Sequence, residues 1–340
     1  MKNTLLQLGL CLVAAGTMHA NVITVSNNAI AAGMYNNLQT ACNAANVGDT
    51  VYVMGSPTDY GTVNVKTRIV LIGAGYALTG TQNNWSSIVD YIHLDSVAFG
   101  NQVSGTKIMG FSVSSNIDNS GSAGSINNID IERCYISSWI YVEGINWVVR
   151  NNDVYGVQVQ NWNNCYIQNN FLGNVQYSNK TTVVIDHNTF NTSSGNCFYS
   201  ISNALIANNI FYYCSPLANT TSCTFSNNIT TNSSAQVLPP AGNTGSGNIN
   251  NTPPGWTDPT IPASTVSQNS IWNYSWKLGS SAPAHNSATD GTDLGAFGGS
   301  YPMSNMTGAT RIPQMQILNV SGVVPAGGNL NVNFKARKQN

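Results

Sequence analysis

Six segments of this chain can be laid on one another: Ile131–Ile136, Val149–Val154, Ile167–Leu172, Ile185–Phe190, Ile206–Phe211 and Phe225–Thr230. Their fourth positions, Cys134, Asn152, Asn170, Asn188, Asn209 and Asn228, are separated by 18, 18, 18, 21 and 19 residues. A period of about 20 residues, with one apolar-x-N-N-x-apolar unit in each, specifies a solenoid of stacked coils. Side chains of a strand alternate between two faces, so the apolar residues two apart mark the inward face of each coil. The second Asn of each unit is expected at the turn, because Asn tolerates a left-handed backbone. Stacking would place these amides one above another, where they can hydrogen-bond along the stack and satisfy buried polarity.

Charge excludes some partners. The net charge is −1 and only 7% of the 340 residues are charged, so no basic face exists for nucleic acid. Hydrophobic residues make up 42% of the chain, and the regular repeat argues against disorder. Met1–Ala20 reads as a secretory signal: Lys2 first, then an apolar run from Leu5 to Ala15, then a cleavage region at Thr17–Ala20. Export to the outside or to the cell surface follows. No later run is long and apolar enough to span a membrane. Residues 21–300 are read as one solenoid domain and residues 301–340 as a β-rich extension.

Six cysteines remain beyond the signal: Cys42, Cys134, Cys165, Cys197, Cys214 and Cys223. An exported chain can form disulfides. Cys165 and Cys223 share an inward column with Trp147, Val183 and Ala204, but two coils separate them, so buried thiols are expected there. No Cys/His group has metal spacing. No metal or other cofactor is expected.

The mature chain opens with a short strand at Val22–Val25 and an amphipathic stretch, Asn36–Ala45. That stretch carries Leu38, Ala41, Cys42 and Ala45 on one face, as a cap for the first coil requires. Strands follow at Gly48–Val53, Val63–Lys66 and Ile69–Gly73. Leu38-Gln39-Thr40-Ala41, Ala44 to Val51 and Val70-Leu71-Ile72-Gly73 resemble the opening of pectate-lyase-like right-handed parallel β-helix proteins. Trp276-Lys277-Leu278, Ser281-Ala282-Pro283-Ala284 and Asp293 to Gly299 resemble the closing segment of secreted members from Bacteroidetes-type bacteria. The resemblance spans roughly Val22 to Gly299 and implies an all-β, right-handed parallel β-helix and export. It implies no single activity, because the family includes lyases, hydrolases and adhesins. Val237–Pro262, rich in Pro, Gly, Asn and Thr, is expected to leave the coils as a loop. Ser264–Gly299 is expected to return over the last coil. Gln316–Val320 and Leu330–Phe334 are expected to pair as a hairpin or to serve for attachment.

Chemistry is sought on the strand that precedes each repeat unit. It reads Trp139 to Val142, Val157 to Gln160, Val175 to Ser178 and Cys197 to Ser200. The first and third members are assigned inward, making Trp139, Tyr141, Tyr177 and Tyr199 core. The second and fourth face out: Ile140, Val142, Gln158, Gln160, Gln176, Ser178, Phe198 and Ser200. In proteins that this chain resembles, this sheet commonly floors a polysaccharide groove. Here that floor carries no charge, and Glu132 and Glu143 fall outside it. Elimination on a polyuronate needs a cation and a base, and glycoside hydrolysis needs two flanking carboxylates.

The reading preferred from sequence is therefore a non-catalytic structural or glycan-binding protein of the cell surface. Gln158, Gln160, Gln176 and Trp162 would bind a polysaccharide or surface glycan, and Tyr155 is a further stacking candidate. The alternative is a lyase acting on acidic polysaccharide. It would use Lys66, His93 and Asp95, which share one in-out alternation, with Asp118 able to join them. Ca²⁺ enters only under that alternative. A third reading is self-assembly, with Met303–Asn340 adding a strand to a neighbour's sheet. Glu132, Arg150, Gln168 and Asp186 form a further column, read as structural, and His187 is expected to hydrogen-bond in the turn.

Overall fold

A computed structural model describes residues 20–29, 32–78, 85–95, 100–119, 126–160, 164–176, 182–192, 195–216, 220–231, 237–264, 266, 268–304, 314–320 and 332–337. The signal region before Ala20, Trp162, Tyr177 and Ser178 lie outside them. The chain forms a parallel β-solenoid. An 11-stranded sheet, sheet A, runs from Val22–Val25 through Asp130–Glu132, Val148–Arg150, Cys165–Gln168, Val183–Asp186, Leu205–Ala207 and Thr224–Ser226 to Thr244–Ser246. A 12-stranded sheet, sheet B, closes the other side. Longer strands such as Tyr135–Val142 cross sheet B through a bulge between Ile136 and Trp139. Sheet B thus has two columns. The first contains Phe111–Val113, Tyr135–Ile136, Phe171–Leu172, Thr189–Asn191 and Ile210–Tyr212. The second contains Val63–Val65, Ile92–Leu94, Ile117–Asn119, Trp139–Val142, Gly156–Val159, Asn174–Gln176 and Phe198–Tyr199.

The inward column of sheet A is Ile131, Val149, Ile167, Ile185, Ile206 and Phe225, all fully or almost fully buried. The expected column of Trp147, Cys165, Val183, Ala204 and Cys223 is buried too. Leu38–Ala44 is a helix, here α1, capped by the Asn37 side chain accepting from the Thr40 amide. Leu38, Ala41 and Cys42 face the core, so α1 closes the first coil. Cys42, Cys134, Cys165 and Cys223 are free and buried, whereas Cys197 and Cys214 form a disulfide. The repeat gave no signal for that pair, because it joins positions outside the hexapeptide units.

The two residues at the centre of each unit divide the labour differently from the expectation. The first one takes the left-handed conformation: Arg133, Asn151, Asn169, His187, Asn208 and Asn227 have φ between 51° and 59°. The second one builds the ladder. The Asn188 amide nitrogen and side-chain nitrogen both donate to Asn209 Oδ1, at 2.8 and 3.1 Å. The same double bond recurs from Asn152 to Asn170, Asn170 to Asn188, Asn209 to Asn228 and Asn228 to Asn248. The turn needs αL at one position only, and the next residue then points its amide into the stack.

Val237–Pro262 does not leave the solenoid entirely. Thr244–Ser246 pairs with Thr224–Ser226 and Asn248 ends the ladder, so this stretch supplies one more coil. Ser264–Gly299 packs on Ile229 and Ile249 of the last coils, and it also extends back over earlier ones. The chain after Asn286 runs back along the turn row, and each first-position side chain grips it. Asn227 donates to Ser287 O, Asn208 accepts from the Thr289 amide, and His187 Nε2 lies 3.3 Å from Thr292 Oγ1. Asn169 donates to Ala296 O and Gly298 O, Asn151 to Tyr301 O, and Arg133 to Ser304 Oγ. Gly298 and Gly299 lie against the His187 ring, where an added Cβ would sit about 3 Å from its atoms. Underneath this strap the outward residues of the first column, Phe171, Ile210, Tyr212 and Ile229, form a second core with Ile271, Trp276, Leu294 and Met303. At the C-terminus, Gln314–Val320 and Val332–Arg337 pair antiparallel as a hairpin.

Candidate functional site

The strap covers the first column of sheet B, so its second column is the open face on that side. Register fixes which residues point out of it. Ile140 pairs with Ile117 and with Val157, and both Ile140 and Val142 are fully buried. Trp139 and Tyr141 therefore face out and Ile140 and Val142 face in, the reverse of the sequence assignment. Phe198, paired with Val175, is also buried, which turns Tyr199 outward beside Gln176. For Trp139 to Val142 the cause is the bulge after Ile136, which shifts the alternation by one residue. Cys197 is buried as assigned, but as half of the disulfide.

The outward row across successive strands is thus Asn64, His93, Asp118, Tyr141, Gln158, Gln176 and Tyr199. Gln158, Gln160 and Gln176 are half-buried on this face, as expected. Trp139 lies over Gly156, where any Cβ would meet its ring, and meets Tyr155 edge-on at 5.4 Å between centroids. Tyr155 is 39% exposed, so this aromatic pair borders the glutamines on an accessible surface.

At the N-terminal end of the row the side chains are ionisable. His93 Nδ1 lies 2.7 Å from Asp118 Oδ1, Tyr91 donates to Asp118 Oδ2 at 2.5 Å, and the Tyr91 and His93 rings stack at 4.0 Å. Burial pushes the Tyr91 hydroxyl up to about 12, and its bond to the Asp118 carboxylate adds to the shift. Glu143 follows Val142, so it belongs to this face after all. Burial raises its carboxyl, and the Asp118 charge raises it further. Lys66 and Asp95 follow the paired Val65 and Leu94, so they sit beside each other, one alternation along from His93. The structure therefore joins His93 to Asp118 and Tyr91, and places Lys66 and Asp95 in the neighbouring row. Tyr91 and Glu143 were missed. The spacing Tyr91-x-His93 held a signal for the first, and the bulge hid the second.

The column Glu132, Arg150, Gln168, Asp186 lies on sheet A, as read from sequence. Arg150 binds Glu132 and Asp130, and Tyr301 of the strap stacks on its guanidinium at 4.8 Å. Burial and the neighbouring Glu132 push Asp130 up to about 7. His187 is buried between Asp186 and the strap, a structural position. A cleft of about 460 Å³ lies between the strap and the chain before it, lined by Trp256, Tyr274, Trp276, Lys277, Asp293 and Phe297 among others. Among the described residues no helix is long and apolar enough to cross a membrane. Comparison with protein-family models and with curated proteins finds no match to this chain.

Proposed function

We propose that this is an exported, cell-surface or extracellular β-solenoid that binds a glycan, without turning it over, on the second column of sheet B. The observation that carries the reading is the in-register outward row Tyr141, Gln158, Gln176, Tyr199 beside Trp139 and Tyr155. Strands repeat at about 4.8 Å, so the row presents amides and ring faces at a regular spacing along one line. Aromatic faces stack on the C–H side of a sugar ring and amides meet its hydroxyls; neither needs charge. Gln160 lies at the rim of the same face, and Trp162, outside the described residues, is retained as a stacking candidate. The Cys197–Cys214 disulfide supports an oxidising destination outside the cytosol.

The face is acidic at its N-terminal end, where Asp118, Glu143 and Asp95 outnumber Lys66. That favours a neutral glycan over a polyuronate. One observation supports the alternative of an acidic-polysaccharide lyase: Asp118 holds His93 Nδ1, which leaves Nε2 placed to take a proton, with Lys66 and Asp95 alongside. The test is binding of the mature protein to immobilised neutral and acidic polysaccharides, with product formation followed in parallel. Gln158→Ala with Gln176→Ala is expected to weaken binding about thirtyfold, from two hydrogen bonds of roughly 1 kcal/mol each. Unchanged binding in the double variant sinks the row as the site. Unsaturated product that vanishes in His93→Ala makes the protein a lyase instead.

A further inference from the structure

The cleft between the strap and the chain before it has a volume of about 460 Å³, within the range of small-molecule sites. Hydrogen bonds fix both of its walls. On one side Trp256 bridges Leu278 in antiparallel fashion, the Thr257 amide donates to Lys277 O, and the Gly279 amide donates to Gly255 O. The Asp258 carboxylate accepts from the Ser275 amide at 2.8 Å and holds the connecting chain against that ladder. On the other side the Leu294 amide donates to Ala284 O, the Ala296 amide to Thr189 Oγ1 and the Met303 amide to Ala296 O. A site held this way needs little ordering when a ligand enters.

Its lining combines ring surface with a few polar groups. Trp256 stands at 88° to Trp276 with 5.3 Å between centroids, and Tyr274 meets Trp276 at 6.1 Å. Trp276 is buried and its Nε1 donates to Ile271 O, so it serves as the back wall. Trp256, Tyr274 and Phe297 are half-buried and line the cleft in front of it. Asp293 and Lys277 supply one carboxylate and one ammonium. The bonds that Asp293 accepts from His285 Nδ1 and the Asn286 amide both fall on Oδ1, and among the described residues Oδ2 accepts none. Trp256 Nε1 is shut off from solvent and has no hydrogen-bond partner.

We propose that this cleft is a second binding site, one that takes a short neutral saccharide of one or two rings. The inference does not rest on the row of sheet B, whose residues lie outside the cleft. A purely apolar ligand is the poorer occupant, because it would leave the Asp293 carboxylate and Trp256 Nε1 desolvated without partners. A charged ligand gains little, because Lys277 and Asp293 balance each other. A sugar ring meets both kinds of lining. Its C–H face packs on Trp256, Tyr274 and Phe297. Its hydroxyls donate to Asp293 Oδ2 and accept from Lys277 and from Trp256 Nε1, which gives that indole the acceptor it lacks.

The test is titration of the isotope-labelled, full-length mature protein with cellobiose, maltose and lactose. Binding is followed through the Trp256 indole N–H resonance, assigned by its loss in Trp256→Phe, and by calorimetry. At least one disaccharide is expected to move that resonance. Trp256→Phe keeps an aromatic ring and removes the donor, so affinity should fall about fivefold, the worth of one hydrogen bond. Lys277→Ala, an exposed change, should weaken binding by a similar factor without disturbing the packing. Gln158→Ala with Gln176→Ala should leave disaccharide affinity unchanged, which separates the cleft from the row on sheet B. Failure of all three disaccharides to bind overturns the proposal. So does binding that is indifferent to both Trp256→Phe and Lys277→Ala. Binding lost with Gln158 and Gln176 while the Trp256 resonance stays still overturns it too, and places the sugar on sheet B. A resonance moved by L-phenylalanine but by no disaccharide overturns it as well, since the cleft then takes an amino acid.

Discussion

Asn188→Ala probes the ladder at its centre. Asn188 is fully buried. Its Oδ1 accepts from the Asn170 backbone and side-chain nitrogens at 3.0 and 2.9 Å, and its Nδ2 donates to Ile167 O at 2.8 Å and Asn209 Oδ1 at 3.1 Å. Truncation leaves the buried Asn170 N–H without its acceptor, at a cost of about 1–3 kcal/mol. The three other bonds contribute roughly 1 kcal/mol each, giving a total of about 4–6 kcal/mol. Asn248 makes the equivalent pair of bonds to Asn228, both at 3.0 Å, but at the half-exposed end of the stack. Water can replace the lost acceptor there, so Asn248→Ala should cost only about 1 kcal/mol. Urea denaturation followed by far-UV circular dichroism measures both. Equal losses at the two positions would refute the argument that desolvation, rather than the number of bonds, sets the value of a rung.

Three further outcomes follow from other contacts. Cys197→Ser with Cys214→Ser removes a crosslink across a sequence separation of 17 and should lower stability by about 3 kcal/mol, read from the same urea curves with reduced native protein as the control. Asn169→Ala removes the side chain that donates to Ala296 O and Gly298 O, so proteolysis within 287–304 should accelerate while the ladder amides stay protected. Asp130 has a folded-state carboxyl raised to about 7, first by burial and then by Glu132, so the folded protein holds that proton more tightly than the unfolded chain. Its contribution is then fully present below the ordinary carboxylate range and is lost as pH rises from about 4 to about 7. The melting temperature of Asp130→Asn relative to the unaltered protein should rise between pH 5 and pH 8; a difference constant with pH would show that Arg150 keeps Asp130 ionised throughout.

The repeat period and the inward apolar column were legible in the sequence because each coil meets the same physical demand. Ile131 to Phe225 must fill the interior, and Asn152 to Asn228 must satisfy the stacked turns, so both recur at every period. The helix cap and the C-terminal hairpin were legible for the same local reasons. The outward face was legible only in part. Gln158 and Gln176 were placed correctly by alternation, but a bulge after Ile136 reverses Trp139, Tyr141 and Glu143, and no residue type in that stretch announces it. Strap, disulfide and proton-sharing cluster were decided by tertiary structure. Asn151, Asn169 and Asn208 look alike whether or not a distant segment lies on them, and their left-handed backbone merely turns their amides toward it. Tyr91, His93 and Asp118 meet because neighbouring coils align Ile92 with Ile117, a register set by the packing of whole coils and not by any motif within one.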